Sequence, residues 1–165
     1  MAVKRRGRRE RTEMDLRHHQ NPVMHLRNPS FAEEITQSFA KQTIMGLIGA
    51  ELTRVEPGLI EITLPYRADL AQQHGYLHAG IVTTIADSAC GYAAYSLMPR
   101  NSEVLSVEFK MNLLRPAKGE MFSAVAEVVK AGKTLTVVRA DVFGIEQERR
   151  DLVATMLGTM ICSSR

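Results

Sequence analysis

Asp87 is the residue of this sequence with the clearest chemical potential, because it is the only charged residue between positions 79 and 98. Nearly every other side chain in that stretch is apolar or small, which predicts a helix surrounded by the rest of the protein. A buried carboxylate is costly unless it is paired or takes part in chemistry. Asp87 is therefore a candidate general base for activating water, or a candidate nucleophile. Two structural roles remain open, a hydrogen bond with Thr83 one turn earlier and a solvent-facing position.

A second candidate group lies at the predicted start of the same helix. His78 stands nine residues before Asp87, between Gly75 and Gly80. Backbone amides at a helix N-terminus lack intrahelical partners and can bind negative charge that develops on a carbonyl oxygen. The amide of Ala79 is the candidate donor, although His78 alone is equally typical of an ordinary helix start. A polarised carbonyl and an activated water are what acyl transfer to water requires.

The spacing of His78 and Asp87 sets a condition on their cooperation. Nine residues of helix rotate by about 900° and rise by about 13 Å, which leaves the two residues on opposite faces. One helix therefore cannot bring both groups to the same substrate atom. If they cooperate, one of them comes from a second copy of the chain. The spacing thus predicts that catalysis by this pair requires at least a dimer, with the sites at its interface.

No metal or cofactor is expected at this site. His74 and His78 have an i, i+4 spacing that metal ligands use, but Gly75 indicates a loop and no acidic residue lies nearby. The sequence also contains no phosphate-loop pattern and no dinucleotide fingerprint. The chemistry is therefore expected to use only side chains and backbone groups.

The basic residues are concentrated at the N-terminus. Residues 1–29 carry eight basic and three acidic side chains (8 − 3 = +5), so the net charge of +3 leaves −2 for the remainder. The low apolar content of residues 1–29 predicts a disordered tail, followed by one domain over residues 30–165. A basic tail can contact nucleic acid, an acidic membrane surface or an acidic partner, or simply be solvated. The domain itself is not expected to bind nucleic acid.

The sequence indicates neither secretion nor a membrane span. No apolar run is long enough to cross a bilayer, and no apolar segment of a signal peptide follows the basic N-terminus. Cys90 and Cys162 lie far apart in the sequence, as expected of free thiols in a reducing compartment. A cytoplasmic location is therefore predicted.

Hydrophobic periodicity predicts a helix, two strands, the apolar helix and four further strands. The first helix is expected over 31–45, where Ser30 and Glu33 have the spacing of a capping box. The strands are expected at 52–56, 59–64, 104–114, 121–130, 134–143 and 152–162. Short turns make neighbouring strands antiparallel. One antiparallel sheet then has one apolar helix to cover. Curling the sheet around this central helix gives the α+β architecture called the hotdog fold.

The strand predicted at 104–114 alternates strictly between apolar and polar residues. Leu105, Val107 and Met111 fall on one face, whereas Ser106 and Glu108 fall on the other. By this periodicity alone, Ser106 is an ordinary outward-facing residue.

The run from residue 75 to residue 118 resembles the PaaI-like acyl-CoA thioesterases of the hotdog superfamily. The signature of that family is Asn, Gly and His-Gly-Gly, with Asp nine residues after the His. Gly75, His78, Gly80 and Asp87 match it. The runs 104–108 and 115–120 resemble the family's third long strand and the turn that follows. Ala79 stands in place of the first Gly of the pair, and its methyl group is expected to narrow the acyl slot.

The family's Asn position is occupied differently here. It holds Gln72, with Gln73 beside it. A longer amide can hydrogen-bond to the carbonyl or to the catalytic carboxylate, but with a different reach. The resemblance leaves open which of the two glutamines takes the role.

This resemblance implies hydrolysis of an acyl-CoA to a free acid and CoA. Asp87 would be the catalytic carboxylate, the Ala79 amide would bind the thioester oxygen, and His78 would orient and cap the helix start. Ser106 matches a Ser that helps to hold the water in some members. Gln73, Gly75 and Gly80 are expected to contact substrate. The family also implies a homodimer, often a tetramer, with sites shared between subunits.

Other interpretations remain open at this point. A hotdog domain can be a non-catalytic acyl-CoA-binding regulator or a dehydratase, and the thioester can belong to an acyl-carrier protein. The acyl group is not identified, although Tyr92 and Tyr95 are candidates for lining its pocket. Arg115 and Lys118, near a turn, are candidates for contacting CoA.

Overall fold

A computed structural model describes residues 26–164. Most of the predicted disordered tail lies outside the described residues. Two short helices come first in the described part, followed by two strands, a long helix and four strands. Their bounds are α1 Phe31–Lys41, α2 Thr43–Ile48, β1 Glu51–Glu56, β2 Leu59–Pro65, α3 Ala79–Tyr95, β3 Ser102–Leu113, β4 Met121–Ala131, β5 Leu135–Glu146 and β6 Arg149–Ser164. A 3₁₀ turn, Ala68–Leu70, lies in the loop between β2 and α3.

The six strands form one antiparallel sheet in the order β1-β2-β4-β5-β6-β3. Helix α3 packs against five of these strands, β2 to β6. The predicted α+β hotdog fold, with its sheet wrapped around one central helix, is confirmed. None of the helices in the described part is long and apolar enough to cross a bilayer.

Small side chains allow the sheet to approach α3 closely. Ala86, Ala89 and Ala93 are fully buried along the helix, and Phe122 and Val142 are fully buried on the sheet. Burial of this apolar surface is the main force that holds the helix in the curve of the sheet. Asp87 is only half-buried, and so lies at the margin of this core.

The first predicted helix is two helices in the structure. The chain breaks at Gln42, whose backbone is extended (φ −75°, ψ 95°), and α2 then continues to a left-handed Gly49. The break changes which apolar residues face the core. Met45 is buried, whereas Ile44 and Leu47 are exposed. The prediction of one helix was therefore wrong at its end.

The predicted capping box is also wrong. Ser30 precedes α1, but its side chain makes no cap hydrogen bond. The Asn28 side chain instead accepts from the Ser30 amide (3.0 Å) and donates to Glu34 (2.8 Å). Glu33 accepts from Gln37 rather than reaching back to the helix start. Asn28, counted in the predicted tail, is thus buried and bonded to the domain.

A β-bulge in β3 overturns the predicted alternation of that strand. Ser106 pairs with Met160 and Glu108 pairs with Thr159, so Val107 is the extra residue. Directly paired residues of an antiparallel sheet point to the same face. Because Met160 is fully buried on the helix side, Ser106 also points toward α3. Strict alternation had placed it on the outer face.

Strand β3 lies at one edge of the sheet, beside β6. Its apolar side chains are unusually exposed for a strand beside the central helix. Val107, Phe109 and Leu113 are 54%, 43% and 58% exposed. An uncovered apolar edge strand is a surface on which another chain can pair.

Candidate active site

Asp87 and Ser106 form the first part of the site. The Ser106 hydroxyl donates a hydrogen bond of 2.7 Å to Asp87 Oδ1, and the bulge at Val107 is what turns Ser106 toward the helix. Among the described residues no other hydrogen bond to the Asp87 carboxylate is formed. Thr83 donates instead to the Ala79 carbonyl at 2.8 Å, so the predicted Asp87–Thr83 alternative is not observed. Asp87 keeps acceptor capacity for a water molecule.

A cleft of about 310 Å³ opens beside this carboxylate. Its walls come from α3, from the junction of α1 and α2, and from the start of β3. The lining residues are Ser38, Gln42, Asp87, Ser88, Gly91, Tyr92, Val104, Leu105 and Ser106. Tyr92 was a predicted pocket residue and does line this cleft. Tyr95 was the other, but it donates to Glu34 and does not line it.

Cys90 lies close to Asp87 in the chain but is not a candidate nucleophile. Burial, with a smaller contribution from the negative charge of Asp87, raises the pKa of the Cys90 thiol to about 12. The thiol therefore stays protonated at ordinary pH, and only a thiolate is an effective nucleophile.

The start of α3 forms the second part of the site. His78 is its N-cap, and His78 Nδ1 accepts a hydrogen bond of 2.9 Å from the Gly80 amide. A Cβ at position 80 would meet that same nitrogen at 3.0 Å, so Gly80 leaves room for the imidazole ring. The ring and the glycine together fix how the backbone enters the helix.

The Ala79 amide is the donor at the start of α3 that the His78 cap does not pair. Among the described residues no hydrogen bond uses it, whereas the amides of Gly80, Ile81 and Val82 all have partners. Ala79 lines a second cleft, of about 320 Å³. This cleft is mostly apolar and is lined by Gln72, Tyr76, Leu77, Ala79, Val82, Leu113, Pro116, Ala117 and Val153. A free amide at a helix start, on a residue that lines an apolar cleft, suits a carbonyl oxygen.

The loop before α3 places the two glutamines differently. Gln72 lines the second cleft, and its side-chain oxygen accepts from the His74 amide at 2.6 Å. Gln73 is exposed and does not line that cleft. Gly75 has a φ of +81°, a left-handed conformation that favours glycine, and its amide closes the turn onto the Gln72 carbonyl. Gly75 therefore shapes the loop.

Comparisons with known proteins give the family. A model of the thioesterase superfamily matches residues 74–149. The crystal structure of a thioesterase family protein from Silicibacter pomeroyi is 47% identical, with a TM-score of 0.81, over 82% of this chain and 99% of that chain. The 1,4-dihydroxy-2-naphthoyl-CoA hydrolase of Listeria monocytogenes is 30% identical over 96 residues, which is 56% of this chain and 78% of that protein. This chain belongs to the thioesterase superfamily.

Membership makes the protein a thioester hydrolase of the hotdog fold. The E. coli PaaI protein, from the phenylacetic acid degradation operon, has the same fold. It is 19% identical with a TM-score of 0.73, over 83% of this chain and 95% of that chain. The resemblance inferred from the sequence is therefore confirmed.

The two parts of the candidate site lie in separate clefts of one chain. Asp87 and Ser106 line one cleft and Ala79 and Gln72 line the other, and no lining residue is shared between them. This arrangement agrees with the opposite helix faces predicted for His78 and Asp87.

Gly91 and Gln42 are among the lining residues of the cleft beside Asp87 that sequence reasoning missed. Gly91 follows Asp87 by four residues, a spacing that places both on one helix face and gave a usable signal. Gln42 gave none, because it reaches the cleft only through the break between α1 and α2.

The two basic residues predicted as candidates for contacting CoA form surface ion pairs in this chain. Arg115 lies 3.3 Å from Asp151 and Lys118 lies 3.4 Å from Glu146, and both basic side chains are largely exposed. Within residues 26–164, no group of three or more His, Cys, Asp or Glu residues has an arrangement suited to a metal ion.

Proposed function

We propose that this thioester hydrolase acts on an acyl-CoA, with Asp87 as the catalytic base. The observation that carries the proposal is the Asp87 carboxylate itself. It stands on an otherwise uncharged helix, accepts one hydrogen bond from Ser106, and opens onto a cleft. A half-buried carboxylate beside a cleft, with lone pairs left over from its one hydrogen bond, is placed to take a proton from water. The Listeria relative, a hydrolase of an acyl-CoA by name, supports the choice of CoA thioester.

In this proposal, Asp87 takes a proton from a water molecule that Ser106 helps to orient. The water oxygen attacks the thioester carbon, and negative charge develops on the carbonyl oxygen. The Ala79 amide binds that oxygen. The C–S bond then breaks, and the proton held by Asp87 passes to the sulfur, which gives the free acid and CoA. Direct attack by Asp87 on the thioester carbon would use the same residues.

The proposed site is completed by a second copy of the chain. Because Asp87 and Ala79 line different clefts, the Ala79 amide is supplied by the partner subunit. The exposed apolar side chains of β3 are the surface on which that copy would pack, since an uncovered edge strand can pair with its own equivalent. We therefore propose a homodimer, and pairing of two dimers would give the tetramer that the family resemblance implies.

The remaining predicted site residues have supporting roles in the proposal. His78 and Gly80 hold the helix start, and Gly75 shapes the loop before it. Gln72 is the better candidate for the family's Asn position, because it lines the cleft of Ala79 whereas Gln73 is exposed. No cofactor takes part, and neither nucleic acid nor a membrane is a partner in the proposed reaction. We propose a cytoplasmic location.

Thiol release from a panel of acyl-CoAs tests the proposed function. The panel contains short, medium, long and aromatic acyl groups, and we expect the wild type to release CoA from at least one class. A folded protein that binds acyl-CoA but releases no thiol from any member would contradict the proposal and favour a regulator. Thiol release from acyl-carrier-protein thioesters alone would show that the substrate is not an acyl-CoA, but the proposed hydrolytic mechanism would stand.

A further inference from the structure

Gly91 has a feature that its packing does not explain. It lies in the interior of α3, where glycine is a poorer helix former than alanine. The neighbouring Ala89 and Ala93 are fully buried, so their small size is explained by close packing against the sheet. A Cβ built at Gly91 would meet nothing within 4 Å. The absent side chain thus leaves open space.

That space belongs to the cleft beside Asp87, which Gly91 lines. Four residues along a helix bring two positions to the same face, so Gly91 lies one turn beyond the carboxylate. A methyl group at position 91 would therefore project into the cleft, next to the place where Asp87 would meet the thioester carbon.

The part of the cleft wall that comes from the junction of α1 and α2 is held by hydrogen bonds. Gln42 donates to the Tyr92 hydroxyl at 2.8 Å and accepts from Ser88 at 3.3 Å. The hydroxyls of Ser38 and Tyr92 lie 3.1 Å apart. This network ties the junction of α1 and α2 to the central helix. Such a wall resists collapse, so the space at Gly91 stays open.

We propose that Gly91 is a specificity-determining residue, which keeps the cleft beside Asp87 wide enough for a branched or cyclic acyl group. This inference rests on the proposed function. The thioester carbon carries two substituents, the acyl chain and the CoA arm. The CoA arm must continue to solvent, whereas this cleft is lined by the buried Tyr92 and by the hydrogen-bonded wall from α1 and α2. The cleft therefore suits the substituent that ends there, which is the acyl group.

Binding of two non-hydrolysable thioethers to the full chain tests this proposal. S-ethyl-CoA carries a small group and S-benzyl-CoA carries a ring, and isothermal titration gives the Kd of each. We expect Gly91→Ala to weaken S-benzyl-CoA about tenfold or more, with a much smaller effect on S-ethyl-CoA. Its melting temperature should rise by a few degrees, because alanine is the better helix former. A higher melting temperature would show that the weaker binding comes from the filled cleft and not from a damaged fold.

Gly46→Ala is the matched control. Gly46 is also helical with open space at its Cβ position, but it does not line the cleft, so both Kd values should stay at the wild-type level. Equal weakening of both thioethers by Gly91→Ala would place the CoA arm in the cleft and overturn the inference, as would no weakening at all. A third outcome would refute the proposed function and keep the inference about Gly91. In it, Gly91→Ala weakens S-benzyl-CoA selectively, but the wild type hydrolyses no thioester.

Discussion

Asp87→Asn is expected to lower kcat for thioester hydrolysis by about 10³-fold, because general acid–base catalysis typically contributes 10²–10⁴-fold. An amide has nearly the same shape as the carboxylate but cannot take a proton from water. The Ser106 hydroxyl, which donates to Asp87 Oδ1, can donate equally to an amide oxygen. The fold and the cleft should therefore survive, so the melting temperature and the Kd of a thioether analogue should change little.

Asp141→Asn is the control for that substitution. Asp141 is also half-buried and accepts a hydrogen bond from a hydroxyl, that of Thr155 at 2.7 Å. It does not line either cleft of the proposed site, so its loss should leave kcat near the wild-type value. Thiol release measured side by side distinguishes the two. An Asp87→Asn variant with wild-type kcat would remove Asp87 from the mechanism.

Ala79→Pro is expected to lower kcat by about 10²–10³-fold, the usual effect of removing one oxyanion-hole donor. Proline has no N–H, so the substitution deletes the one amide that the site is proposed to use. Ala79 is the first residue of α3, a position where proline is favoured in helices. The preceding His78 has an extended backbone (φ −62°, ψ 137°), which is the conformation preferred before proline.

Ala79→Ser keeps the amide and serves as the control for the proline variant. Both variants should melt close to the wild type, because the helix start tolerates either residue. If the account is right, only the proline variant loses kcat. Native melting together with full activity in Ala79→Pro would show that another group binds the carbonyl oxygen.

The fold was predictable because short-range signals agreed. Strands with alternating apolar and polar residues, joined by short turns, pair as an antiparallel sheet. The one apolar helix buries its surface only if that sheet covers it. The closeness of β5 to β6 and of β4 to β5 follows from those turns. The position of β3 at the sheet edge did not follow, because its connections to α3 and β4 are longer.

Two local features were not predictable from the pattern. In the sequence of β3, apolar and polar residues alternate without interruption through Val107. The periodicity therefore gives no sign of the bulge there. Likewise, apolar residues continue past Gln42 at helical spacing, and the break appears only in the structure. Both features matter for the site, because the bulge brings Ser106 to Asp87 and the break brings Gln42 to Tyr92.

The central residues of the candidate site were predictable from the sequence, but most of the residues that line its clefts were not. A charged residue on an apolar helix and glycines around a helix-start His identify Asp87 and Ala79 from the sequence. The clefts depend on how distant segments meet. Leu113 and Val153, for example, line the cleft of Ala79 from two strands far from it in the chain.

Mixing the Asp87→Asn and Ala79→Pro variants tests most directly whether the hydrolytic site is shared between subunits. The two inactive proteins are unfolded together, refolded together and assayed for thiol release, with each refolded alone as the control. If every site takes its carboxylate from one chain and its amide from another, about a quarter of the sites in a random mixture are intact. We therefore expect about a quarter of the activity of refolded wild type, in dimers or in larger assemblies. If one chain supplies both groups, no site is intact, and a mixture no more active than the separate variants would contradict the account.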